Sequence, residues 1–183
     1  MEAGAPGWWL AYAAYAALLA GTAAERVVEL VVSTRNARWA FARGGVEAGQ
    51  GHFPPMVALH TGLIVACALE PLLAGRPFIT TLSVPAAVLA LACQGLRWWC
   101  IGSLGHRWNT RIVVVPGLPL VRRGPYRFLP HPNYVVVAVE GVVLPLAGTA
   151  WLTALVFTVL NAVLLLGFRI PAEERALRAA AAR

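Results

Sequence analysis

With 183 residues, 59% hydrophobic content and a net charge of +7, and with a mean hydropathy of +0.68, the chain is far more apolar than a soluble domain, whose apolar share is about 45–50%. It reads as an integral membrane protein, and its basic excess follows the positive-inside rule rather than nucleic-acid binding. All 15 basic residues are Arg and all 8 acidic residues are Glu, so Schiff-base chemistry, the Lys-dependent phosphate loop and Asp-bearing dyads or triads are excluded.

A spanning helix needs about 20 mostly apolar residues. Residues 8–32, 54–73, 79–104 and 134–168 supply them, and the last block divides at Pro145 and Gly148-Thr149 into 134–148 and 150–168. The fold class is therefore all-α, a single membrane domain of about five transmembrane helices with a cytosolic cap. The first span lacks the basic n-region of a secretory signal. The N-terminus carries only Glu2, whereas the first loop carries Arg35, Arg38 and Arg43, which puts the N-terminus outside and that loop inside. Arg76 is the sole charge expected in the second, outer connection. The polar region 106–134 holds Arg107, Arg111, Arg122, Arg123 and Arg127, and the tail 169–183 holds four more arginines. Both then face the cytoplasm.

Between the third and fourth spans, Ile112-Val113-Val114-Val115 followed by Pro116-Gly117 predicts a short extended piece ending in a turn, and Gly124-Pro125 a second turn. Pro132 suits the first residue of the fourth helix. A helix start carries free backbone N–H groups and the positive end of the helix dipole, which makes it a ready site for a carboxylate or phosphate. His131 and Tyr134 could add donors on the same face, or simply form an interfacial aromatic belt. Arg169 and Glu173 are four apart and share a face if one helix runs through them, while Pro171 favours a bend or restart. There Arg169 is either a functional cation or a snorkelling side chain.

Glu140 lies about two turns into the fourth span, where an ionised side chain is expensive. It calls for a partner, Arg97 or Arg26, or else serves as a catalytic base. The cysteines Cys67, Cys93 and Cys100 lie in apolar segments without a Cys-x-x-Cys pair and read as packing residues. The histidines His52, His60, His106 and His131 show no metal-ligand spacing, and no dinucleotide fingerprint occurs.

The order Gly124-Pro125-Tyr126, His131-Pro132-Asn133-Tyr134, an apolar hairpin, then Arg169 and Glu173-Glu174-x-x-Leu177 resembles the isoprenylcysteine carboxyl methyltransferase family. The resemblance covers residue 106 onward and implies a multi-pass membrane enzyme using S-adenosylmethionine, here of a bacterial kind. It implies that the backbone of Leu118, Pro119, Leu120 and Val121, with Tyr126, His131, Pro132, Asn133 and Tyr134, lines the cofactor pocket. Glu173 would hold the cofactor's ribose or amino group, and Arg169 would face the acceptor. The chain departs at Pro130, where the family carries Arg; Arg127 and Arg123 are the available substitutes.

The expected acceptor is a small lipophilic molecule entering from the bilayer, an isoprenoid or polyketide-like carboxylate, phenol or thiol. A carboxylate needs no base; a phenol does, which brings in Glu140, His131 or Tyr126. Two other readings stand beside this one: a nicotinamide-dependent membrane reductase, and a non-enzymatic scaffold whose arginines contact lipid headgroups.

Overall fold

The helix α1 (Trp8–Phe41) runs for 34 residues, about 51 Å at 1.5 Å per residue, well beyond the roughly 30 Å of a bilayer core. The computed structural model describes residues 8–181, so Glu2, on which the outward N-terminus rests, lies outside the described residues. Next come β1 (Val46–Ala48), α2 (Phe53–Leu73), α3 (Thr80–Leu104), β2 (Ile112–Val114), α4 (Pro132–Ala147), α5 (Trp151–Leu164) and α6 (Ile170–Ala181). The only sheet among the described residues is the antiparallel pair β1 and β2, with Val46 opposite Val114 and Ala48 opposite Ile112.

Three helical stretches are long and apolar enough to cross a membrane, Gln50–Leu73, Thr80–Arg107 and Trp151–Ala180, and Pro132–Ala147 is a shorter apolar helix. α1 has the length but carries Glu25, Arg26 and Glu29 in its middle.

Two boundaries differ from the sequence expectation. α1 does not stop near Val32, because Ser33, Asn36, Ala37 and Ala40 continue its buried stripe at i, i+3, i+4 and i+7. Asn36 Nδ2 donates to the carbonyls of Gly105 at 3.2 Å and Trp108 at 2.7 Å, which ties this extension to the loop after α3. The segment after Phe168 is also helix rather than tail. A π turn over Leu165–Arg169, in which Ile170 N–H bonds to the Leu165 carbonyl, joins α5 to α6 without a break. Pro171 is tolerated because its missing N–H falls where the ordinary helical ladder is already interrupted.

The helices run up and down, so two sets of ends separate. At one end lie the β ribbon, the 105–131 loop, the start of α4 and α6. At the other, Tyr12 Oη donates to the Arg76 carbonyl at 2.9 Å and Thr149 Oγ1 to the Pro77 carbonyl at 3.0 Å. There Glu70 accepts from the backbone N–H groups of Leu152 and Thr153, supplying the cap that α5 lacks in its own sequence. Between the ends, Tyr15, Leu63, Cys67, Ala90, Leu144 and Phe157 form the core. Gly148 and Gly141 permit its closest approaches: a Cβ on either would overlap the ring of Tyr15 or Phe157.

Candidate functional site

Pro132 begins α4, where no N–H is required. The His131 carbonyl accepts from Tyr134 N at 3.1 Å and Val135 N at 3.4 Å. The anion-binding donors expected at this helix start are thereby reduced; Asn133 retains an N–H without a backbone partner among the described residues. Its side-chain Oδ1 is buried and has no hydrogen-bond partner among the described residues.

The start of α4 meets α6 directly. Tyr134 Oη donates to a Glu173 carboxylate oxygen. The His131 ring stacks on Tyr134, with centroids 5.5 Å apart, and its Nδ1 and Nε2 lie 3.7 Å from Glu173 and 3.7 Å from Glu174. Glu173 foremost, with Glu174, raises the His131 pKa above the ordinary imidazole value, against the opposing effect of burial.

Arg169, 4% exposed, donates from Nη2 to the Thr110 carbonyl at 2.8 Å. Its Nε is buried without a hydrogen-bond partner among the described residues. Thr110 is held in turn by α1: its N–H donates to Ser33 Oγ at 3.1 Å, and the two hydroxyls lie 2.8 Å apart. The continuous α5–α6 rod is what puts Arg169 and Glu173 on one side.

These groups surround a cavity of about 1290 Å³, larger than the roughly 300–1,000 Å³ of an ordinary small-molecule site. Leu118, Pro119, Leu120, Val121, Tyr126, His131, Asn133, Tyr134, Arg169 and Glu173 all line it. Pro132 does not; it is fully buried and acts by starting the helix. Arg107 Nη1 donates to the Pro119 carbonyl, fixing the 118–121 strip. Tyr126 sits on a short 3-10 turn, Gly124–Arg127, packed against α3 so closely that a Cβ on Gly124 would overlap Ser103. Burial first, and then the neighbouring Cys100 thiol, raises the Tyr126 pKa. Near Pro130, where the chain departs from the family, Arg127 lines the cavity whereas Arg123 is occupied with the Ser103 carbonyl at 2.8 Å, so of these two Arg127 is the one at the cavity.

Deeper, the wall turns apolar, with Val27, Leu30, Val57, Ile64, Val65, Val137 and Leu165, and is interrupted by Arg26, Glu29, Arg97 and His60. Glu140 lies just behind this wall. Its carboxylate pairs with Arg97 and with Arg26 Nη2 at 3.0 Å, and accepts from Gln94 Nε2 at 2.7 Å. Glu29 joins from α1, 2.8 Å from Arg26 Nη1 and 3.5 Å from Arg97 Nε. Both partners proposed for Glu140 are therefore engaged at once, and of its two readings the ion pair is the one this geometry favours.

The sequence reading gives no role to Ser33, Asn36, Glu29 or His60. The first two had a signal in the stripe that continues past Val32; His60 stands alone on an apolar helix and had none.

Residues 64–179 match the isoprenylcysteine carboxyl methyltransferase (ICMT) family, and together with the apolar helices around a polar-mouthed cavity this defines a membrane methyltransferase. A Bacillus subtilis protein, the uncharacterized YpbQ, is 38% identical over 162 residues, covering 88% of this chain and 95% of its own length. An uncharacterized Haemophilus influenzae protein is 27% identical over 155 residues, covering 84% of this chain and 89% of its own. No solved structure matches. The chain belongs to the ICMT family.

Proposed function

We propose that the protein is an S-adenosylmethionine-dependent methyltransferase acting on a small lipophilic acceptor, an isoprenoid or polyketide-like carboxylate, phenol or thiol. The observation that carries this reading is the two-part cavity, polar at the mouth where α4 meets α6 and apolar inside. The donor set suits the cofactor. Glu173 offers a carboxylate for an ammonium or ribose hydroxyls, and the orphaned Asn133 Oδ1 needs a hydrogen-bond donor that a bound amine would supply. Leu118, Pro119, Leu120 and Val121 would contribute backbone, Tyr126 and Tyr134 ring faces, and His131 and Pro132 the helix entry. Bound S-adenosylmethionine supplies an electrophilic methyl on a sulfonium, whose sulfur leaves as a neutral thioether.

Arg169, with its unpartnered Nε, would face the acceptor where it passes the polar mouth, while Glu140 holds the buried charged layer behind the wall. Positioning then supplies much of the acceleration. Val27 on α1 and Val65 on α2 line the cavity and are not covered by other side chains, and this apolar wall between two helices suits lateral entry of the acceptor from lipid. With α1 and α4 counted, five spans cross the membrane, proposed to be a bacterial inner membrane. The Arg-rich cavity end would face the cytoplasm with the C-terminus, leaving the N-terminus outside. No observation favours the reductase or scaffold readings.

Calorimetric titration in detergent tests the proposal: S-adenosylmethionine binding is expected, weakened in Glu173→Ala and His131→Ala. Equal affinity in all three proteins would overturn it. Mass spectrometry of membrane extracts incubated with isotopically labelled donor, with and without the protein, would identify the acceptor.

A further inference from the structure

His60 is a polar side chain on the deep cavity wall that the proposed function leaves without a task. Its Nδ1 lies 2.8 Å from the Met56 carbonyl one turn back. A carbonyl only accepts, so Nδ1 carries the hydrogen and Nε2 of the neutral ring keeps its lone pair. Nε2 has no protein partner among the described residues, and the ring lines the cavity.

The depth of His60 follows from its neighbours. The ring meets Phe157 edge-on, with centroids 5.4 Å apart at 87°. Phe157 in turn fills the space against Gly141, next to Glu140. His60 therefore stands in the layer of Glu140, six residues or about 9 Å along α4 from Tyr134. The charges acting on it are Arg97 from α3, Arg26 from α1 and Glu140 from α4; Phe157 is the contact from α5. With Glu29 the layer holds two guanidiniums and two carboxylates, and Glu25, beside Arg26 and accepting from Trp98 Nε1 at 3.2 Å, adds a third carboxylate, so the layer has no spare positive charge.

That lack of spare positive charge selects among acceptors. A carboxylate head entering this layer would add an uncompensated negative charge at membrane depth, where single charges are expensive. A hydroxyl enters neutral, and a proton passed to imidazole leaves an imidazolium and an oxyanion side by side, so the net charge of the layer is unchanged. Resting on the methyltransferase reading, we propose that the acceptor is a lipid with an acidic hydroxyl, a phenol or enol on an apolar chain, and that His60 Nε2 is its general base. The O–H bond breaks, its electron pair stays on oxygen facing Arg26 and Arg97, and the proton rests on Nε2 before leaving to water through the cavity mouth.

The test begins without donor. An alkyl nitrophenol, whose phenolate is coloured, is titrated with pH while bound to the detergent-solubilised protein and to His60→Asn, which keeps an N–H for the Met56 carbonyl but has no Nε2. In wild type the bound probe should ionise at lower pH than in His60→Asn, by about one unit or more, as expected for an anion beside an imidazolium. With donor present, wild type should methylate an alkylphenol in preference to an alkanoic acid of equal chain length. His60→Asn should lose about 10²- to 10⁴-fold in kcat with unchanged donor affinity. A probe that titrates identically in both proteins, or preferred methylation of the alkanoic acid by both, would overturn the proposal. If wild type binds no S-adenosylmethionine, the methyltransferase reading fails instead, while the probe titration still decides whether His60 is a base. His60→Gln, judged by the same probe, serves where His60→Asn does not fold.

Discussion

Replacing Glu173 by Gln should weaken S-adenosylmethionine binding about ten- to a hundredfold. Gln keeps the length and one oxygen of the side chain, so it can still accept from Tyr134 Oη; what disappears is the charge. A hydrogen bond to a charged partner contributes about 1.5–3 kcal/mol net, which converts to that range in Kd. Tyr134→Phe removes the hydroxyl that orients the carboxylate but leaves the charge for the donor, so its loss should be smaller, about two- to tenfold, or roughly 0.5–1.5 kcal/mol. Both are measured by calorimetric titration in detergent, with Arg175→Ala as a control, since Arg175 is exposed and does not line the cavity. The order wild type, Tyr134→Phe, Glu173→Gln in falling affinity is the signature sought. A Glu173→Gln protein that binds the donor as tightly as wild type refutes the assignment of the α4–α6 junction as the donor site.

Three further predictions follow from particular contacts. The raised His131 pKa means that its pairing with Glu173 and Glu174 stabilises the fold fully below the ordinary imidazole pKa and is lost as pH rises through the raised value. Melting temperature should therefore fall between about pH 6 and pH 8 more steeply in wild type than in His131→Gln; equal slopes would contradict the pairing. Ser33→Ala strips Thr110 of its anchor, so Arg169 should be misplaced and the acceptor KM should rise while donor Kd is unchanged; a change in donor Kd alone would disprove that link. Gly141→Ala should destabilise by about 1–3 kcal/mol, because the Phe157 ring must move. Gly21→Ala, with open space around it, should show no such drop in thermal melts.

What the sequence disclosed, and what it hid, divides along a physical line. Runs of apolar residues fix helix positions, so α2, α3 and the break between α4 and α5 lie within a residue or two of 54–73, 79–104 and Gly148-Thr149. Local charge and motif order brought Tyr134, His131, Arg169 and Glu173 to the same end, where the structure joins them through Tyr134 and Glu173. Continuity was harder to read. The last helix continues through Pro171 because a π turn precedes it, and no residue type announces a π turn. β1 is three residues long and exists by pairing with β2, sixty-odd residues away in sequence, a contact that local propensity does not encode. Glu140 illustrates the middle case: its need for a partner was plain from its depth, but that Arg26, Gln94 and Arg97 all converge on it is a property of the packing of three helices.

The attachment of α1 explains how so wide a cavity persists in a small bundle. In lipid there is little hydrophobic drive between helices, so association rests on close packing and polar links. α3 and α4 use the first route, meeting extensively, whereas α1 touches α2 and α3 far less. It is held instead at polar stations, the Arg26 and Glu29 pairs with α3 and α4 and the Ser33 and Asn36 bonds to the 105–110 loop. Polar links of this kind fix a helix at a distance that packing would close. Val27, 61% exposed, and Val65, 51% exposed, line the cavity from α1 and α2 and are left uncovered. The buried charges thus hold α1 in place without filling the space beside it, and breaking one of them exposes an uncompensated partner, which is why such a layer is lost as a unit or kept whole.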